Sequence, residues 1–314
     1  MRARTGIGSA GADPARWSMR RQRAAILRST IQVVLIALVG VAARGGAIPW
    51  GAMYAPNEAI ESTGMTGVVK AYRGERGAET LLIDLAFARD HGVRLIITLG
   101  SVAPLTYIDS DGHLDLDAVR EELQPFFAIA AVVSPFIEDG TIWGIRFIDE
   151  PHDPAGLPRG SEVDPQELGG AFALILERFG DVRVGSTAPP AYMARVPGAG
   201  FASGQVVHAK IPLAYGSVID FHEDQSALAE SSGLDYVASI NANTNAIDNE
   251  TFFRDYRRMC EIEAVDFATS WMWPQGHHPE DSFETRFADP SHSVRQEIAG
   301  IPDACERLNR DPES

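Results

Sequence analysis

The sequence predicts a single (β/α)8 TIM-type barrel preceded by an N-terminal signal or anchor segment. Three observations support that. After residue 46, short β-rich runs alternate with longer helical patterns until eight strand candidates have passed. Most of those runs are continuously apolar, as strands buried on both faces of a parallel sheet must be. Strand–helix alternation implies right-handed parallel crossovers. Eight units in roughly 260 residues suit a barrel better than an open doubly wound sheet. No Gly-x-Gly-x-x-Gly opens a helix after the first strand and no P-loop is present, so a nucleotide-binding fold has no support.

The first strand is Ile48–Met53, and the connection 54–65 is short for a helix. Thr66–Tyr72 follows, then a helical pattern over Glu79–His91 that stops at Asp90-His91-Gly92, a glycine just past the helix end. Val93–Leu99 is the third strand and Leu116–Ala131 its helix. Thr141–Ile148 is the fourth strand, followed by Pro165–Phe179 with Gly180 behind it. Val182–Ser186 and Val206–Leu213 come next, within a loop-rich stretch over 186–222. Helix Glu223–Ser231, strand Leu234–Ile240, helix Glu250–Glu263 and strand Val265–Trp271 complete the alternation, and Ser291–Leu308 closes the chain as a last helix. Nothing divides residues 47–314, so the domain division is 1–46 and 47–314.

The chain has 314 residues, 45% of them hydrophobic, enough for a large core without metal support. Its formal charge of −16 is unevenly distributed. Residues 1–46 hold eight Arg against one acid, Asp13, while the rest has 19 basic and 42 acidic residues, or −23. So acidic a body repels phosphate backbones and anionic lipid, which argues against nucleic acid and peripheral membrane partners. It suits a neutral or cationic small ligand. The basic head, Arg16 to Arg28, precedes an apolar stretch, Ile31–Ala43, and then small residues, as in a secretory signal. That stretch is shorter than a comfortable membrane span of about 20 residues. A cleaved signal and a retained anchor both remain open, and both put the body in an exported location: secreted, periplasmic or at the cell surface. A membrane is then a partner only through an uncleaved N-terminus. The two cysteines, Cys260 and Cys305, lie in predicted helices, and an oxidising compartment permits a bond between them. A bond and two buried thiols are both open.

In such a barrel the site lies at the C-terminal ends of the strands. Those ends supply Tyr54, Tyr72, Tyr215, Asn241, Asn243, Trp271 and Trp273 as candidate substrate-binding residues, and Asp149, Glu150, Asp220 and Asp248 as candidate catalytic acids. Rings stack on the apolar faces of a sugar while amides and carboxylates bind its hydroxyls, so the expected partner is a carbohydrate or another small neutral ligand. The sharpest signal is Trp143-Gly-Ile-Arg-Phe-Ile-Asp-Glu-Pro151. Acids buried within a parallel strand are costly, so these two should emerge at its end, where Pro151 stops the ladder. Glu150 beside an apolar strand mouth should have a raised pKa, which suits a general acid. A strand-end salt bridge or a loop cap is the other use for this pair. No cofactor and no metal are expected: His277 and His278 are adjacent and have no third ligand at helpful spacing.

The segment Asp149-Glu150-Pro151 resembles the fourth strand of the large retaining glycosidase clan built on the TIM barrel, where Asn-Glu-Pro carries the acid/base glutamate. The runs GIRFIDEPHDP, ARDHGVRLIITLG and FATSWMWPQ also resemble a group of secreted bacterial barrel proteins, over most of residues 47–305. The resemblance implies glycosidic-bond hydrolysis with Glu150 as general acid/base. Two departures stand out. Asp149 replaces the clan's Asn. The end of strand seven, where the clan keeps its nucleophile, reads Ser239-Ile-Asn-Ala-Asn-Thr-Asn245, with no acid before Asp248. Glycoside hydrolysis ordinarily uses two carboxylates, so a non-catalytic carbohydrate-binding barrel is the alternative expectation.

Overall fold

The computed structural model describes residues 47–109, 111–157, 160, 162–206, 215–242, 247–271 and 282–306. Residues 1–46, with the expected signal or anchor, lie outside the described residues, as do Asn243 and Trp273. Among the described residues no helix is long and apolar enough to cross a membrane.

Eight parallel strands form one sheet: β1 Trp50–Ala52, β2 Gly67–Tyr72, β3 Arg94–Leu99, β4 Ile142–Asp149, β5 Val184–Thr187, β6 Phe201–Val206, β7 Asp235–Asn241 and β8 Phe267–Trp271, in the order β1-β8-β7-β6-β5-β4-β3-β2. The two ends meet through a parallel bridge between Met53 and Val69. Backbone bonds from Thr66 to the Trp50 carbonyl (3.1 Å) and from Tyr54 to the Val69 carbonyl (2.7 Å) reinforce it. Closure needs close backbone approach at this seam: a Cβ on Gly51 would collide with the carbonyl oxygen of Gly67. The result is an α/β TIM-type barrel.

Helices α1 Asn57–Thr63, α2 Gly74–Asp90, α3 Leu116–Ala128, α4 Ala130–Glu138, α5 Pro165–Phe179, α6 Pro190–Met193, α7 Val218–Ser231 and α8 Asn249–Glu261 alternate with the strands. Three more, α9 Phe283–Phe287, α10 His292–Ala299 and α11 Ile301–Cys305, follow β8. Side chains cap several of their starts: Asp115 accepts from Asp117 and Ala118, Asp164 from Gln166, Ser217 from Asp220, and Asp248 from Thr251. Helix α8 buries Phe252, Phe253, Tyr256, Met259 and Cys260, a stripe one helical face wide. The Tyr256 hydroxyl accepts from the Gly51 backbone N–H (2.9 Å) and faces the carbonyls of Gly51 (2.7 Å) and Ala268 (3.0 Å), riveting β1 to β8.

The structure corrects several boundaries. The short connection 54–65 holds the helix α1. Pro125 and Pro135 fall inside helical segments, and Leu116–Ala131 continues as two helices that meet at Ile129. The single closing helix expected over Ser291–Leu308 is two, broken at Gly300. Strand six is Phe201–Val206, starting ahead of the Val206–Leu213 expected, of which residues 207–213 lie outside the described residues. Its Ala-Ser-Gly core has weak strand propensity, while the β-branched run behind it was the more conspicuous signal.

Cys260 and Cys305 are disulfide-bonded across 45 residues. The bond ties α8 to α11, and the Cys305 carbonyl accepts from the Ile48 backbone N–H (2.7 Å), so both chain ends of the barrel meet there. A loop of this length is worth about 2–4 kcal/mol, chiefly by restricting the unfolded chain. The Cys260→Ala/Cys305→Ala double variant should therefore unfold roughly 5–15 °C lower in a calorimetric scan. An unchanged midpoint would show that the bond contributes nothing.

Candidate functional site

The barrel interior changes character along its axis. Toward the strand starts it is apolar: Met53, Val69, Ile96, Trp143, Phe201, Val237 and Phe267 form one buried cluster. The Trp143 ring packs edge-on against Phe201 (5.4 Å) and Phe267 (5.5 Å). Two residues further along β3, β7 and β8 the same faces turn polar, because side chains alternate with period two. Thr98 follows Ile96, Ser239 and Asn241 follow Val237, and Thr269 and Trp271 follow Phe267. Above this hydroxyl-rich layer lies the mouth.

Strand β4 reaches the mouth with a defect. Arg146 pairs with Gly185 and Asp149 with Thr187, so three steps on β4 oppose two on β5. That extra residue is a bulge, and it sets which face each later side chain presents. Ile148 has φ 61° and Glu150 φ 47°, both in the left-handed region; Tyr54, just past β1, has φ 64°. A left-handed β-branched residue costs roughly 1–2 kcal/mol, and strain of this kind gathers at functional sites. The segment is held by backbone bonds from Asp149 to the Val102 carbonyl (2.8 Å) and from Glu150 to the Thr187 carbonyl (3.2 Å). The Ser186 hydroxyl donates to the Phe147 carbonyl (2.5 Å).

The bulge puts Asp149 on the inner face, the one Arg146 occupies. Arg146 is 2% exposed. Its Nε donates to Thr98 Oγ1 (2.8 Å), Nη1 to Thr187 Oγ1 (3.1 Å) and Nη2 to Tyr54 OH (3.2 Å), while Asp149 Oδ1 is 4.0 Å from Nη1. Simple alternation from Arg146 would send Asp149 to the opposite face; the bulge decides otherwise. Glu150 follows at the exit, exposed on one side. Burial of the other side raises its pKa first, and the neighbouring Asp149 and Asp153 charges raise it further. His152 is pushed down by desolvation against the pull of Asp153, Glu162 and Asp149, and its ring lies 6.2 Å from Tyr192. Asp153 caps the next turn through the Ala155 N–H. Tyr54 and Trp271, both half-buried, meet edge to face at 6.3 Å as an aromatic wall. Asn241 is paired beside Trp271 at the end of β7.

The remaining candidates lie elsewhere. Tyr72 faces outward, buried, and its hydroxyl donates to Asp84 on α2 (2.9 Å). Tyr215 lies beyond the end of β6 and donates to Asp224 (3.0 Å), and Asp220 sits in the first turn of α7. Asp248 is the N-cap of α8, its carboxylate accepting from the Thr251 N–H (2.7 Å), which lowers its pKa. Losing that cap should cost about 1 kcal/mol. Asp248→Ala should therefore lower thermal stability and leave any turnover intact, while Asp248→Asn restores stability; lost turnover in a folded Asp248→Asn would make it a catalytic acid instead. Sequence reasoning missed Arg146 and Thr98. A signal for Arg146 existed, since a charge in the middle of an apolar parallel strand has to be compensated inside the barrel.

Among solved structures, the chain is similar to the endo-1,4-beta-mannanase from Rhizomucor miehei, with TM-score 0.56 and 10% identity, over 84% of this chain and 96% of that one. The fold the two share is the TIM-type barrel. A second glycoside-hydrolase barrel, the exo-beta-1,4-mannosidase from Opitutaceae bacterium strain TAV5, aligns with TM-score 0.55 and 13% identity. It covers 84% of this chain, which spans 62% of that protein's length. A third, an endocellulase from Pyrococcus horikoshii in complex with cellotetraose, aligns with TM-score 0.52 and 9% identity over 82% and 92% of the two chains. No family model matches the sequence, and no curated protein matches it. What the glycoside-hydrolase barrels share with this chain at such identities is the fold.

Proposed function

We propose that this chain is an exported carbohydrate-active enzyme that hydrolyses a glycosidic bond, with Glu150 as its general acid/base. One observation carries the reading: Glu150 stands at the C-terminal end of β4, in strained left-handed backbone, with a carboxyl whose pKa is raised by burial and by Asp149. A carboxyl that holds its proton to higher pH than usual is better suited to protonate a leaving oxygen. Asp149 is the acid that shares the mouth with it, in preference to Asp220 or to the capping Asp248. Tyr54 and Trp271 offer ring faces for a sugar, and Asn241 an amide for its hydroxyls. The barrel's likeness to a mannanase, a mannosidase and a cellulase supports a glycan as the substrate class. Export is supported by the basic-apolar-small pattern of residues 1–46 and by the Cys260–Cys305 bond, a cross-link typical of oxidising compartments.

The test is turnover of aryl glycosides and of plant and microbial polysaccharides, with affinity measured in parallel. Turnover on any of them supports the enzyme. Glycan binding that weakens in Trp271→Ala, with no turnover on any substrate, would replace it by a non-catalytic binding barrel.

A further inference from the structure

A guanidinium buried in a barrel carries a desolvation penalty of several kcal/mol unless its surroundings answer it. Around Arg146 the answer is unusual. Apart from the Met53 sulfur (3.8 Å), the hydrogen-bond partners of its guanidinium are neutral hydroxyls from β3, from β5 and from Tyr54, just past β1. Its charge is met by Asp149, three residues on, whose Oδ1 is buried and has no hydrogen-bond partner. This Arg146–Asp149 pair spans Phe147 and the left-handed Ile148, which is to say the bulge itself. A one-residue slip there would turn Asp149 off the inner face. The fork geometry of arginine lets one side chain brace three strands and still present a charge to a carboxylate, which a lysine cannot do.

We propose that Arg146 is the positioning residue of this site: braced by Thr98, Thr187 and Tyr54, it clamps the Asp149 carboxylate across the β4 bulge and so fixes how the Asp149–Glu150 pair faces the barrel mouth. It deepens the glycosidase reading and rests on it for the role of Glu150, but the clamp itself is testable without substrate.

The charges bearing on Glu150 are Asp149 and Asp153; His152 follows it, and Glu162 approaches from the loop before α5. In the full chain with 13C-labelled glutamate side chains, NMR titration reads the Glu150 midpoint directly, and thermal unfolding reports folding. Asp149→Asn removes one raising charge, so the midpoint falls. Arg146→Met frees Asp149 to turn away, so the midpoint falls in the same direction, and the double variant falls no further than Asp149→Asn alone. Loss of a positive charge from a rigid site would move Glu150 upward, so the direction of the shift separates clamping from a simple field effect. A midpoint that stays put or rises in folded Arg146→Met, or additive shifts in the double variant, would overturn the clamp. If Arg146→Met does not fold, Arg146→Lys serves: it keeps the charge but loses the brace, and it must lower the midpoint too. Absent turnover with the expected titration would sink the glycosidase reading alone.

Discussion

Glu150→Gln should lose about 10²–10⁴-fold in kcat/KM on substrates with poor leaving groups, the usual worth of a general acid. The amide keeps the shape and hydrogen-bonding reach of the carboxyl but has no proton to give. The loss should shrink on activated aryl glycosides, whose leaving groups depart with little protonation, and affinity should hold nearly constant. The pH dependence follows from the sign of the shift. The proposed general acid would act in its protonated form, so wild-type kcat/KM should fall as pH rises through the Glu150 pKa. Burial, Asp149 and Asp153 all move that pKa up, extending the active range toward neutral pH. Glu150→Gln should therefore flatten the alkaline limb as well as lower the rate. Wild-type rates that survive the substitution on every substrate would exclude Glu150 as the acid.

Trp143→Ala should be the costliest single change in the fold, about 3–5 kcal/mol for deleting a buried aromatic side chain and leaving a cavity. Trp143 is 4% exposed, wedged between Phe201 and Phe267, with the Arg183 guanidinium 5.0 Å over its ring. Little there can collapse into the gap, since the barrel wall around it is a continuous hydrogen-bonded sheet. Out of a total stability of about 5–15 kcal/mol, the loss should lower the unfolding midpoint by roughly 6–20 °C. Trp143 lies near the start of β4, roughly 20 Å from Asp149 at about 3.3 Å per residue. The folded fraction should accordingly keep its activity, and Trp143→Phe should cost much less. A penalty under about 1 kcal/mol would mean that the lower interior is not tightly packed.

The two variants divide the molecule as its sequence does. The lower barrel was legible because largely apolar runs such as Val93–Leu99 and Leu234–Ile240 admit few arrangements other than strands buried on both sides. Helix ends were legible where a glycine follows the last turn, as at Gly92 and Gly180. The acids of Asp149-Glu150-Pro151 announced a strand end, because burying them within the strand would be too costly. Strand β6 escaped notice because Ala202, Ser203 and Gly204 are strand residues only by virtue of their neighbours on β5 and β7.

What the sequence determined by itself is therefore whatever depends on residues a few positions apart: the alternation, the barrel it implies, the helix-ending glycines and the place where the acids emerge. Tertiary structure alone decided the rest of the site. The partners of Arg146 lie 48, 41 and 92 residues away from it in the chain. The bulge that turns Asp149 inward exists only as a mismatch with β5. The Cys260–Cys305 bond needed two helices brought together across 45 residues. Local propensity carries no information about such pairs, because the free energy that selects them comes from closing the barrel.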